Sequence, residues 1–266
     1  MAANRNQKQP VTVSRISVPK PHDVLAGNLR TSILKGEISE GDALPSEREL
    51  VEQTGLSRGA VREALRTLSV EGLVQTRHGR FGGSIVTLPG QDSMATTINR
   101  FVQGRKIPLR SVQETRELLE PFLARLAAER RTEEHLQELK SLHTELVANI
   151  DNFQESILIN VRWHSAIARA SGNELLASLL YSISQGVHAA TMLEEYDSID
   201  TRKQVIQIHS RIIDAIERRD ATLAERSMRQ HIAAANAQPV AAVSVPIAMS
   251  RSSARPGKAA AAVPAK

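Results

Sequence analysis

Apolar residues recur at helical spacing along most of the chain and switch to strand-like alternation in one short stretch. Val24, Leu25, Leu29, Ile33 and Leu34 lie near one helical stripe that Gly36 can end. Ser46, followed three residues later by Glu49, is a capping box and predicts a helix running to about Gln53. Thr54-Gly55-Leu56 then turns the chain, and Ser57 can cap a second helix from Arg58 to about Glu71, stopped by Gly72. Two helices joined by a short Gly-containing turn are a helix-turn-helix signature. Leu73–Thr76 and Ser84–Thr87 alternate like strands around Arg77-His78-Gly79-Arg80-Phe81-Gly82-Gly83, which predicts a hairpin with a basic, glycine-rich tip, a wing.

Beyond Leu88-Pro89-Gly90-Gln91-Asp92, a natural linker, the period becomes helical throughout. Stripes such as Val112, Leu118, Leu119, Phe122, Leu123 and Leu126, and then Leu136, Leu139, Leu142, Leu146 and Ile150, predict about six helices in an antiparallel bundle. Breaks fit Arg131-Thr132, Asn149 to Asn152, Ser171-Gly172-Asn173, Tyr196 to Asp200 and Arg219-Asp220. The expected class is mainly α. It comprises a basic tail (1–20), a winged helix-turn-helix (21–88), a linker and linking helix (89–107), an all-helical domain (108–237) and an Ala/Pro-rich tail (238–266). Both tails read as disordered.

Composition narrows the chemistry. With 266 residues, 41% hydrophobic, the chain can build a substantial core, but only 3% are aromatic, so burial rests on aliphatic side chains. The absence of cysteine excludes a disulfide scaffold, a thiol nucleophile and any Cys-built metal site. No apolar run nears the roughly 18 residues of a membrane span, and residues 1–20 hold no apolar signal core, so a cytoplasmic protein is expected.

Net charge is +5, but residues 1–20 carry four basic residues and no acid, as do residues 238–266. The part expected to fold is therefore near neutral, and local clustering matters more than the total. From Ser57 to Arg80 five arginines (Arg58, Arg62, Arg66, Arg77, Arg80) face two acids, Glu63 and Glu71. Arg58 and Arg62 are i,i+4 neighbours at the start of the second helix, where side chains reach base edges in the major groove. Arginine offers a bidentate fork to guanine, and wing glycines let the backbone approach DNA.

Of the eight histidines, His209 and His231 stand out. They flank the Arg219-Asp220 break at similar distances, so in an antiparallel hairpin both sit about 16 Å from the turn, at one level. Asn160 and His164 share one helical face. Three imidazoles and an amide oxygen converging in a bundle core could hold a first-row divalent metal, or the histidines could simply hydrogen-bond one another or water.

The run LPSERELVEQTGLSRGAVREALRTLSVEGLV followed by RHGRFGGSIV resembles the winged helix-turn-helix of the GntR family of bacterial transcription regulators. The resemblance implies that Arg48 contacts phosphate, that Arg58 and Arg62 read the operator, and that His78 and Gly79 bring the wing into the minor groove. Ser57 and Arg80 complete the expected DNA-binding set. Gly59 and Ala60 offer less side chain for base contact than some members have. NVRWHSAIARASGNELL, HSRIIDAIERRDATLAERSMRQH and RELLEPFLARLAAER are similar to the FCD ligand-binding domain of the FadR-type branch.

That second resemblance implies a divalent ion, Zn or Ni foremost, held by Asn160, His164, His209 and His231. Asn160 stands where aspartate is commoner, and its neutral amide should hold the ion less tightly. The resemblance further implies a small organic acid effector, for which Arg116 is either a second anchor or a structural arginine. The partners expected are a double-stranded DNA operator, the effector and a second copy of the chain, with no membrane. The expected function is a regulator, a repressor rather than an enzyme. Two other readings stay open: a metal-dependent hydrolase carrying a DNA-binding domain, with Glu194 and Glu195 near the ligands, and a metal-free regulator sensing acyl thioesters.

Overall fold

The computed structural model describes residues 18–77, 83–191 and 198–236, with backbone alone for 185–191. Residues 1–17 of the expected N-terminal tail and all of 238–266 therefore lie outside the described residues, while Lys20 is already the N-cap residue of the first helix, Pro21–Leu34. The chain divides into two compact units, the break falling between Pro89 and Gly90.

In the first unit, α1 (Pro21–Leu34), α2 (Glu47–Thr54) and α3 (Arg58–Val70) precede β1 (Val74–Arg77) and β2 (Gly83–Val86). The local sequence explains the boundaries. Ser46 accepts from the Glu49 backbone N–H at 3.3 Å, while the Glu49 carboxylate accepts from the Ser46 N–H at 2.8 Å, closing the capping box that starts α2. Gly55 ends α2 in the left-handed region (φ 68), where a side chain would be strained, and so sets the turn into α3.

β1 and β2 pair antiparallel with Val74 opposite Val86 and Arg77 opposite Gly83. Residues 41–44, which alternation alone does not mark, add to the free edge of β2: Leu44 N–H donates to the Ser84 carbonyl at 2.8 Å and Val86 N–H to the Asp42 carbonyl at 2.8 Å. Leu25, Ile33, Leu50, Val61, Leu65, Leu68, Val74 and Val86 form the core. Val24 and Leu34, placed on the predicted α1 stripe, are exposed instead. Arg30 grips Glu71 with two hydrogen bonds, 2.8 and 2.6 Å, tying α1 to the end of α3.

The second unit contains α4 (Gln91–Gly104), α5 (Leu109–Arg130), α6 (Glu133–Ala148), α7 (Phe153–Ala170), α8 (Glu174–Thr191), α9 (Ile199–Glu217) and α10 (Ala221–Asn236). α5 packs against α7, α8, α9 and α10, and α6 closes against α7 and α9. Their core is built on Leu136, Leu139, Ile159, Trp163, Ile167, Ile212, Ile216, Met228 and Ile232. On α5 the buried face runs through Val112, Glu120, Leu123, Ala124 and Ala127, whereas Leu118 and Phe122 point outward. The predicted stripe merges two apolar faces of that helix.

Candidate DNA-reading surface and metal centre

The first candidate site is the exposed side of α2 and α3. Burial of Val61, Ala64, Leu65 and Leu68 turns Arg58, Arg62 and Arg66 to solvent. Ser57 is committed to capping: its hydroxyl accepts from the Ala60 N–H at 3.2 Å. Arg58, the first residue of α3, has no ion-pair partner among the described residues, so its guanidinium is free for an anion. Arg62 donates from Nε to Glu47 at 2.7 Å, a contact between α2 and α3 that the sequence did not reveal. Arg48 lies 3.7 Å from Glu52 and is largely exposed. His78, Gly79 and Arg80 lie outside the described residues, so the wing tip stays an expectation.

The second candidate site lies in the helical core. His164 on α7, His209 on α9 and His231 on α10 are all buried. His231 Nε2 lies 3.3 Å from His209 Nε2 and 3.3 Å from His164 Nε2. Their potential ligand atoms all fall within 4.8 Å of one another. Four-coordinate zinc with nitrogen ligands at about 2.0–2.1 Å places adjacent nitrogens about 3.3 Å apart, so the convergence suits such an ion. Asn160, one turn before His164, has a buried Oδ1 that makes no hydrogen bond, an acceptor still lacking a donor or cation. The donor set fits a divalent metal.

Two residues that the sequence reading missed hold this cluster. Glu120 of α5 is 1% exposed; its Oε2 stands 2.5 Å from His164 Nδ1, off the line of a well-formed hydrogen bond, and its Oε1 accepts from Arg116 Nε at 2.5 Å. Burial pushes the Glu120 carboxyl up, but Arg116 and His164 outweigh it and hold the group at about 2. A carboxylate beside Nδ1 keeps the proton on that nitrogen and leaves the Nε2 lone pair to face the cluster.

Trp163 stacks on the His209 ring, centroids 3.6 Å apart and planes 6° from parallel. That stacking orients an imidazole whose Nδ1 is buried without a hydrogen bond. Burial, and then the neighbouring His231, His164 and His143, hold His209 well below the usual range. His231 is pushed down to about 3, chiefly by burial and then by His164. Both rings are therefore neutral at neutral pH, as a metal ligand must be.

Arg116, read from the sequence as either an effector anchor or a structural residue, is partly buried and engaged with Glu120. Its terminal nitrogens make no hydrogen bond among the described residues. His135 serves as a cap, its N–H donating to Thr132 at 3.3 Å and its Nδ1 accepting from the Thr132 N–H at 3.2 Å. Glu194 and Glu195 lie outside the described residues.

A winged helix-turn-helix with free arginine at the head of its second helix, in one chain with a helical bundle that buries a polar cluster, is the architecture of a DNA-binding regulator. The chain belongs to the GntR family of bacterial regulatory proteins: the family model "Bacterial regulatory proteins, gntR family" matches residues 21–81 and the FCD domain model matches residues 111–234. It is 29% identical to the galactonate operon transcriptional repressor of Escherichia coli K12 over 79% of this chain and 93% of that protein. It is 30% identical to the Glc operon transcriptional activator of the same organism, over 79% and 85%. A solved GntR structure from Streptococcus agalactiae superposes with a TM-score of 0.61 at 27% identity, covering 82% of this chain and all of that one. The family and these relatives are transcriptional regulators, repressors and activators both, and not enzymes. No helix among the described residues is long and apolar enough to cross a membrane.

Proposed function

We propose that the chain is a metabolite-responsive repressor in the cytoplasm, released from a pseudo-palindromic operator when a small carboxylate binds at a divalent metal, zinc or nickel. The observation that carries this reading is the convergence of three buried imidazole nitrogens from three helices, His164, His209 and His231. These residues would hold the ion, with the unmet Asn160 oxygen as a further donor. When bound, the ion supplies a Lewis-acid contact for a carboxylate.

The chain's own groups do the rest. Glu120 fixes the proton of His164 on Nδ1, and Trp163 fixes the plane of His209. Arg116 spends Nε on Glu120 and keeps its terminal nitrogens for the effector carboxylate, a charge-assisted pairing. Because the cluster ties α5, α7, α9 and α10 at one level, a ligand that prefers one arrangement of these helices biases the whole bundle. A differential affinity of about 1–3 kcal/mol suffices to regulate. The galactonate relative controls an operon named for a hydroxy acid, which supports an organic acid here.

On the DNA side, Arg58 and Arg62 would read base edges, Arg48 would grip phosphate, and Ser57 would act by presenting the N-terminus of α3 to the backbone. Two copies of the chain would present two such helices to a two-fold operator. Operator binding by metal-loaded protein, titrated with a panel of organic acids, tests the reading. Release by at least one acid is expected, and affinity unchanged across a broad panel would contradict it.

A further inference from the structure

Cationic character does not stop at the wing. From residue 72 to residue 113 the chain carries six basic residues, Arg77, Arg80, Arg100, Arg105, Lys106 and Arg110, against a single acid, Asp92. Within residues 21–237 no other run of that length holds so few acids. The helical part as a whole is net acidic, with 18 basic and 20 acidic residues over 89–237. The excess is therefore local to α4 and the turn that follows it.

α4 packs on α8, with Ala95 buried and Ile98 and Val102 half-buried, while Arg100, Arg105 and Lys106 stay exposed. Among the described residues no hydrogen bond or ion pair engages any of those three side chains. The neighbouring charges are occupied: Asp92 accepts from the Tyr181 hydroxyl at 2.9 Å, and Arg110 lies 3.0 Å from Glu114 and 3.6 Å from Glu117. Lys106 takes the left-handed conformation (φ 52), where a lysine is strained, and no partner for its ammonium repays this within the fold. The helix dipole welcomes cations at the end of α4, but it equally favours acids in the first turn of α5, which has none. The charge bias therefore points to a partner outside the fold.

We propose that the C-terminal end of α4, with Arg100, Arg105 and Lys106, is a second contact to duplex DNA, gripping backbone phosphates without reading bases. The inference rests on the DNA-binding reading above and extends it to a surface outside the winged unit. Continuity of charge with the wing supports this occupant. α4 begins at Gln91, directly after β2 and Leu88-Pro89-Gly90, and its three free cations lie about 14–22 Å further along the helix. A chain bound through its winged unit holds this tethered end at high effective concentration near the same duplex, so weak phosphate contacts add up. A duplex carries one negative charge per about 1.7 Å of its axis, and each lysine or arginine that neutralises a phosphate releases counterions. Such contacts add affinity for any sequence and leave the choice of operator to α3.

Binding of the full chain to a random-sequence duplex of about 40 base pairs, measured by fluorescence anisotropy across a range of salt, tests this. One variant, Arg100→Gln with Arg105→Gln and Lys106→Gln, removes the three charges from exposed positions. A companion, Arg100→Lys with Arg105→Lys, keeps them all. Each phosphate contact contributes about 0.9 to the slope of log K against log salt, so the glutamine variant should flatten the slope by about 2–3. The lysine variant should keep the wild-type slope. A glutamine variant with the wild-type slope would overturn the proposal and leave these cations to an acidic protein. Equal flattening in both variants would overturn it as well, because the loss would follow side-chain shape and not charge. Arg48→Ala in the same assay separates this contact from the winged unit's own grip: it should flatten the slope by about 1 whatever α4 does. An unchanged Arg48→Ala slope would count against the winged-unit assignment alone, with the glutamine variant still deciding the role of α4.

Discussion

Glu120 shows how much one buried charge decides. An Arg and a Glu four residues apart on a helix read as an ordinary solvated pair, and nothing in RELLEPF marks Glu120 as 1% exposed. Only the crossing of α5 and α7 brings it to His164, a tertiary fact with no local signal. Trp163 was legible only as the single tryptophan of the chain. Replacing Glu120 with Gln removes the charge that fixes the His164 proton, and metal affinity should fall about 10–100-fold in a competition titration against a chelating dye. Affinity equal to wild type would show that Glu120 has no hold on the ligand.

The same residues set the acid limit of the metal-free protein. His231 is held at about 3 and His209 is lowered as well, while in the unfolded chain both take up protons near pH 6.5. Between these values the unfolded state binds more protons, so stability is full above about 6.5 and falls as pH drops toward 3. Glu120, lowered to about 2, works in another window: its contribution is present above about 4.3 and is lost only as pH falls toward 2. Chemical denaturation of chelator-treated protein should therefore show stability declining already from about pH 6.5 to 5. A flat profile over that interval would mean that these imidazoles are not neutral in the fold.

At the scale of elements, the helix-turn-helix was the most legible part of the chain because its signals are local. Ser46 and Glu49 close a box within one turn, Gly55 supplies the left-handed residue, and Ser57 caps α3. Ser46→Ala should cost about 1 kcal/mol, seen as a lower midpoint in urea with an unchanged slope. Arg58→Ala should lose about 1–3 kcal/mol of operator binding and relax discrimination at one base pair. Arg48→Ala should instead weaken binding to all sequences and lower the salt slope by about 1. Equal effects of the two on specific and random DNA would contradict the division of labour. The 41–44 segment beside β2 escaped the sequence because its pairing partner, not its alternation, makes it extended. The two faces of α5 merge for a similar reason: periodicity counts apolar residues without saying which neighbour will cover them.

At the scale of the molecule, the metal cluster was half legible. His209 and His231 lie at one level because an antiparallel helical pair has a fixed rise, so counting from the turn at Arg219-Asp220 was enough, and their nitrogens lie 3.3 Å apart. His164 comes from α7, more than forty residues earlier in the chain. Its i,i+4 spacing from Asn160 placed both on one helical face, but spacing alone does not say that this face meets the other two histidines. A site that joins three helices also couples metal to folding. At free metal about 100-fold above its dissociation constant, binding should add about 2.7 kcal/mol to the stability of the helical unit, lost on adding chelator.

The proposed sensor chemistry depends on those three imidazoles holding an ion. Metal content of the purified protein, measured beside His164→Ala and His209→Ala, decides it most directly. About one equivalent per chain in the native protein, lost in both variants, is the predicted result. Native protein that stays metal-free even after reloading would contradict that chemistry, while its place among the DNA-binding regulators would stand.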